Sequence, residues 1–102
     1  MDKKAERIAK FRKMDVLFEE MRVTVKGVFS DQEWDDVYSY VYNVEYWEGL
    51  DLAAAIIYTS EKQISQHTHS IIKKLTVMMG KEEAYFDEKL RGHIIESKWG
   101  QQ

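Results

Sequence analysis

Apolar residues return every three or four positions along the first segment. Phe11, Met14, Phe18, Met21, Val25 and Val28 hold successive a and d places of a heptad, with Ile8 and Leu17 widening the stripe. That spacing predicts an amphipathic first helix. Its weak stretch is RVTVKG at 22–27, where alternating β-branched residues and Gly27 disfavour helix, so the helix either continues or ends near Glu20 or Met21 and gives way to extended chain. Ser30-Asp31-Gln32-Glu33 has the form of a capping box, and a second helix is expected to begin there. Asp31, Glu33, Asp35 and Asp36 then fall in its first turns, where the helix dipole favours carboxylates.

Residues 35–49, DDVYSYVYNVEYWEG, fit two periods. On a helix, Val37, Val41 and Val44 gather toward a core with Tyr40 and Trp47 on one flank, while Trp34, Tyr38 and Tyr42 form the other. On a strand, Tyr38, Tyr40, Tyr42, Val44 and Tyr46 share one face. The capping box upstream favours helix, and an α+β fold with strands at 22–29 and 36–47 is the alternative. Gly49 is a candidate C′ residue closing the element.

From Asp51 an apolar-periodic stretch runs to Gly80, a second C′ candidate, as one long helix or as two broken at Thr59-Ser60, where Ser60 and Gln63 offer another capping box. A last helix is expected after Gly80, with Ala84, Phe86, Leu90, Ile94 and Trp99 inward and Gly92 as a weak spot. The expectation is therefore all-α: a single helical domain over 1–102, a small bundle of four to five helices, and dimeric.

Composition narrows the class. A chain of 102 residues with 44% hydrophobic and 32% charged side chains supports one globular core. No proline interrupts the helices, and the absence of cysteine rules out disulfides, thiolate metal sites and a cysteine nucleophile, which makes a cytoplasmic location the default. The longest apolar run, LAAAIIY at 52–58, is too short to span a bilayer, and no membrane association is expected.

Charge is unevenly spread. Residues 1–29 carry eight Lys or Arg against five acids, and residues 60–102 carry seven against six. Residues 30–59 hold seven acids, no base and seven of the thirteen aromatics. On one continuous helix, residues 34–47 present an apolar arc of about 220°, wider than the roughly 100° stripe that one-sided packing needs. A partner is expected to cover the excess. The contact surface is expected at Trp34, Asp35, Tyr38, Tyr42, Glu45 and Tyr46, and the partner is another protein, a basic or nucleic-acid-binding one for which the acids mimic phosphates. A homodimer using Phe11, Met14, Phe18 and Met21 is the simplest further use of the heptad stripe.

Other chemistry is weaker. His67 and His69 point about 200° apart on a helix and do not chelate one ion, and His93 with Glu96 lacks the paired Glu-x-x-His units of di-iron bundles. No phosphate loop or nucleophile elbow is present, and adjacent acids such as Asp35 and Asp36 at a helix start are ordinary capping residues. No catalytic residue, metal or cofactor is expected, and the chain is read as a non-enzymatic adaptor or inhibitor. The alternative is a small DNA-binding regulator using the basic N-terminal helix (Lys3, Lys4, Arg7, Lys10, Arg12, Lys13) or residues 60–75, whose helix-turn-helix outline lacks the turn glycine.

Overall fold

A computed structural model describes residues 2–95, in which five helices follow one another: α1 (Lys3–Thr24), α2 (Asp31–Tyr42), α3 (Tyr46–Thr59), α4 (Gln66–Met78) and the short α5 (Asp87–Leu90). Among the described residues the only β pairings are two isolated bridges, Lys26 with Phe29 and Ile64 with Ile94. The all-α reading holds, and neither 22–29 nor 36–47 is a strand.

Helix ends follow local chemistry. The Asp2 carboxylate accepts the Lys4 and Ala5 amides at 3.0 and 3.4 Å and starts α1, which runs through the β-branched stretch as far as Thr24. The chain then turns at Gly27, whose φ of +86° suits a residue without a side chain. The box at Ser30 is complete: its hydroxyl accepts the Glu33 amide at 3.0 Å, and Glu33 accepts the Ser30 amide at 2.8 Å. That amide first, and the Lys62 ammonium after it, hold the Glu33 carboxyl below its ordinary range. The long apolar stretch does break at Ser60, but the next cap is Ser65, which accepts the Thr68 amide at 3.1 Å, and not Ser60 with Gln63.

Two helices close by the full Schellman pattern, in which the C′ amide bonds two residues into the last turn and the next amide one residue further: α4, with Gly80 at C′, and α2, with Val44 at C′. After α3, Glu61 takes the same left-handed conformation, and the Lys62 amide alone bonds back, to the Ile57 carbonyl at 2.9 Å. The expected stop at Gly49 is therefore a correction. α2 ends at Tyr42, and Gly49 lies inside α3, where a Cβ would stand 3.2 Å from Val41 Cγ2 and 3.4 Å from the Val37 carbonyl oxygen. Gly49 is there so that α2 and α3 can approach closely.

α1 and α4 lie antiparallel, joined by a 2.7 Å hydrogen bond from the Thr68 hydroxyl to that of Thr24 and by His67 against Glu20 at 2.8 Å. The core fills with Phe18, Met21, Leu50, Ile57, Ile71, Ile72, Leu75 and Leu90, all essentially inaccessible. Each such side chain contributes about 1.5–3 kcal/mol over its exposed state. The two buried threonines are satisfied, Thr76 through the Ile72 carbonyl at 2.6 Å.

Met14, Phe18 and Met21, expected at a dimer interface, are buried within the chain, and Phe11 is half-buried with its ring 5.4 Å from Tyr46. Their heptad stripe faces the rest of the same molecule, so Met14, Phe18 and Met21 are core residues and Phe11 packs against that core. The segment after Gly80 is mostly turn, with Ala84 exposed and only Phe86 and Leu90 buried. The expected positions Glu96 and Trp99 lie outside the described residues.

Candidate interaction surface

The break at residues 43–45 decides which aromatics remain outside. Trp34, expected on the contact surface, is buried with its ring 6.3 Å from Phe29. Tyr46, also expected there, starts α3 and turns inward against Phe11 and Phe18, and its hydroxyl donates to Asp15 Oδ1 at 2.8 Å. Trp34 is a correction: it lies in the first turn of α2 and packs against Phe29 from the turn that leads into the helix. Tyr46 is re-aimed inward by the break between α2 and α3, yet it still lines the surface described next. Val44, expected in the core, lies past the end of α2 and is 51% exposed.

What stays outside is a smaller and better defined feature. Tyr42 is 74% exposed and Tyr38 46%, their rings 6.3 Å apart along one flank of α2. Together with Tyr46, Val41 and Val44 from the α2–α3 corner, and Asp15 and Glu19 from α1, they line an open concavity of about 340 Å³. Among the described residues it is lined by three tyrosines and two carboxylates and by no basic side chain. Glu19 is partnered by Arg22, whose guanidinium lowers its pKa, and Glu45 is exposed beside Val44.

Asp35 is exposed but belongs elsewhere. It lines a different hollow near the start of α2 together with Arg22 and Lys26. The acidic block is thus unbroken in sequence but not in space, because Arg22 at the end of α1 and Lys26 in the following turn share a hollow with Asp31 and Asp35, and Lys62 reaches Glu33 at 3.1 Å. Sequence reading missed Asp15, Glu19 and Val44. The i,i+4 spacing of Asp15 and Glu19 on the flank of α1 was the available signal for two of them.

Val44 is strained. A β-branched residue at φ +62° is a backbone outlier, costing about 1–2 kcal/mol at a position where glycine costs little. Val44→Gly is expected to raise unfolding stability by about 1 kcal/mol in urea titrations, since the Schellman bonds remain available. An unchanged or lowered midpoint would show that the valine is not strained.

Tyr46 gives a pH signature. Burial first, and then the hydrogen bond and charge of Asp15, push its hydroxyl up to about 12. The folded state holds this proton more tightly than the unfolded one, so the contribution is complete below about pH 10 and is lost as pH rises toward 12. The stability advantage of wild type over Tyr46→Phe should shrink across that window in urea melts. A difference constant from pH 8 to 12 would contradict the buried hydrogen bond.

The histidines are separately engaged: His67 with Glu20, His69 with Asp87 at 3.1 Å, and His93 Nδ1 with the Lys62 carbonyl at 3.1 Å. Among the described residues no group of three or more His, Cys, Asp or Glu side chains is placed to hold a metal ion, and no helix is long and apolar enough to cross a membrane. Comparison with protein-family models, curated proteins and solved structures finds no match for the chain.

Proposed function

We propose that this is a non-enzymatic interaction protein that docks a basic partner protein by receiving an arginine or lysine side chain in the tyrosine concavity. The observation that carries this reading is the lining itself: three tyrosines and two carboxylates, with no base among the described residues, around an open hollow. Tyrosine faces attract cations, carboxylates bond them, and exposed tyrosines give contact area at low entropy cost. The strain kept at Val44 supports the same reading, because an exposed apolar side chain in a costly backbone state has no evident packing role.

Affinity capture from the host, comparing wild type with Tyr42→Ala, tests it. Tyr42 is too exposed for its loss to unfold the chain. A lysine- or arginine-rich protein should be retained by wild type alone. Equal retention by both removes the concavity from the interaction.

A second reading has its own observation. Residues 3–10 of α1 are all exposed and carry Lys3, Lys4, Arg7 and Lys10, an arrangement suited to phosphates. Duplex DNA binding at low salt, lost on Arg7→Glu with Lys10→Glu, would favour it. Residues 60–75 are a poorer candidate, since Ser60–Ser65 is a loop and α4 packs chiefly on α1.

A further inference from the structure

A second surface, on the α1–α4 side of the molecule, has the opposite character. Between these antiparallel helices runs a groove whose floor is Val16, Leu17, Val77 and Met78. It consists of two adjoining hollows of about 410 and 460 Å³ that share Leu17 and Met78. Val16 is 64% exposed and Val77 53%, although the core nearby is closed. Arg12 and Lys13 stand along the α1 side, Lys73 and Lys74 along the α4 side.

Some cations of the chain are already engaged. Lys62 and Arg22 meet carboxylates, and Lys81 and Lys89 lie over aromatic rings. Among the described residues, none of Arg12, Lys13, Lys73 and Lys74 has a carboxylate within ion-pair distance. Among the described residues Glu83, at one end, is the only acid lining either hollow.

We infer that this groove docks an amphipathic helix from another protein, with an apolar edge bordered by acidic side chains. A valley between two helices receives a third by ridge-into-groove packing, and a flexible methionine in the floor adapts to it. The lengths agree. Ser70 to Met78, both lining the groove, spans about 12 Å of helix, close to the roughly 10.5 Å between anchors at i and i+7. Acidic borders on the incoming helix would then meet the cations on both banks.

Other occupants fit less well. The strongly acidic helix of a second copy is α2, whose apolar residues Trp34, Val37 and Val41 are buried in its own core. A flat lipid surface does not fill a valley, and a nucleic acid has no use for an apolar floor.

The test uses three 15-residue peptides on the full chain: one with Leu at i, i+3, i+4 and i+7, Glu beside them and Ala elsewhere; its scramble; and its Glu→Lys counterpart. Fluorescence anisotropy should show binding of the first alone. Val77→Asp, at an exposed position, should weaken it at least about tenfold, and Lys73→Glu with Lys74→Glu should do the same while admitting the lysine peptide. Circular dichroism confirms that the variants fold. Equal binding of the scramble, or insensitivity to Val77→Asp, would overturn the inference. So would a groove-dependent dimer lost on Val77→Asp, or anionic phosphatidylglycerol vesicles or duplex DNA binding with that same sensitivity.

Discussion

Gly49→Leu is expected to lower the melting temperature by about 12 °C or more, through a loss of about 3 kcal/mol. A Cβ at position 49 already meets Val41 Cγ2 at 3.2 Å, Tyr40 Cβ at 3.4 Å and the Val37 carbonyl oxygen at 3.4 Å. A leucine must push α2 away from α3 or distort both. Gly49→Ala is the control: its helix propensity gains about 1 kcal/mol, and Val41 has to yield by only a few tenths of an ångström, so the two effects nearly cancel. Thermal melts followed by circular dichroism separate the cases. If the leucine variant melts with wild type, the close approach of α2 and α3 is wrong, and so is the corner that carries Val44.

The largest functional effect should come from the tyrosines. Tyr38→Ala with Tyr42→Ala should lower affinity for the captured basic partner by about a hundredfold, because two aromatic contacts at the centre of an interface are each worth about 1–2 kcal/mol. The loss should appear in the dissociation rate. Glu45→Lys should instead slow association and flatten its dependence on salt, since a charge at the rim steers encounter more than it holds the complex. Surface plasmon resonance at two ionic strengths reads both. A double alanine variant that binds like wild type would place the contact elsewhere.

These effects also explain what the sequence could and could not convey. The heptad from Phe11 to Met21 and the capping box at Ser30 were legible because each is a local code, and both appear in the structure; Val25 and Val28 lie past the end of α1, in the turn that follows it. Gly80 was legible as a helix stop for the same reason. The end of α2 was not. Propensity offers Gly49 as the terminator and places a valine last among residues at positive φ, yet the chain turns at Val44 and keeps the glycine for helix contact.

That misplaced boundary spread into the site: with α2 and α3 fused, Tyr46 belonged to one exposed arc with Tyr38 and Tyr42, whereas the break turns it inward so that it only lines the hollow. Trp34 was lost to the arc for a separate reason, because Phe29 in the turn before α2 packs against it. The partners that complete the hollow, Asp15 and Glu19, come from a helix some twenty residues earlier. No local pattern announces such a meeting. The phenol of Tyr46, bonded to Asp15, is what ties the two segments together.

The most direct measurement of the central claim is backbone amide chemical-shift mapping of the isotope-labelled chain as the captured basic partner is added. The account predicts shifts concentrated at residues 15–19 and 38–46, on both sides of the tyrosine concavity. Shifts confined to residues 3–10, or to the 70–78 face of α4, with the 38–46 signals unmoved, would contradict it.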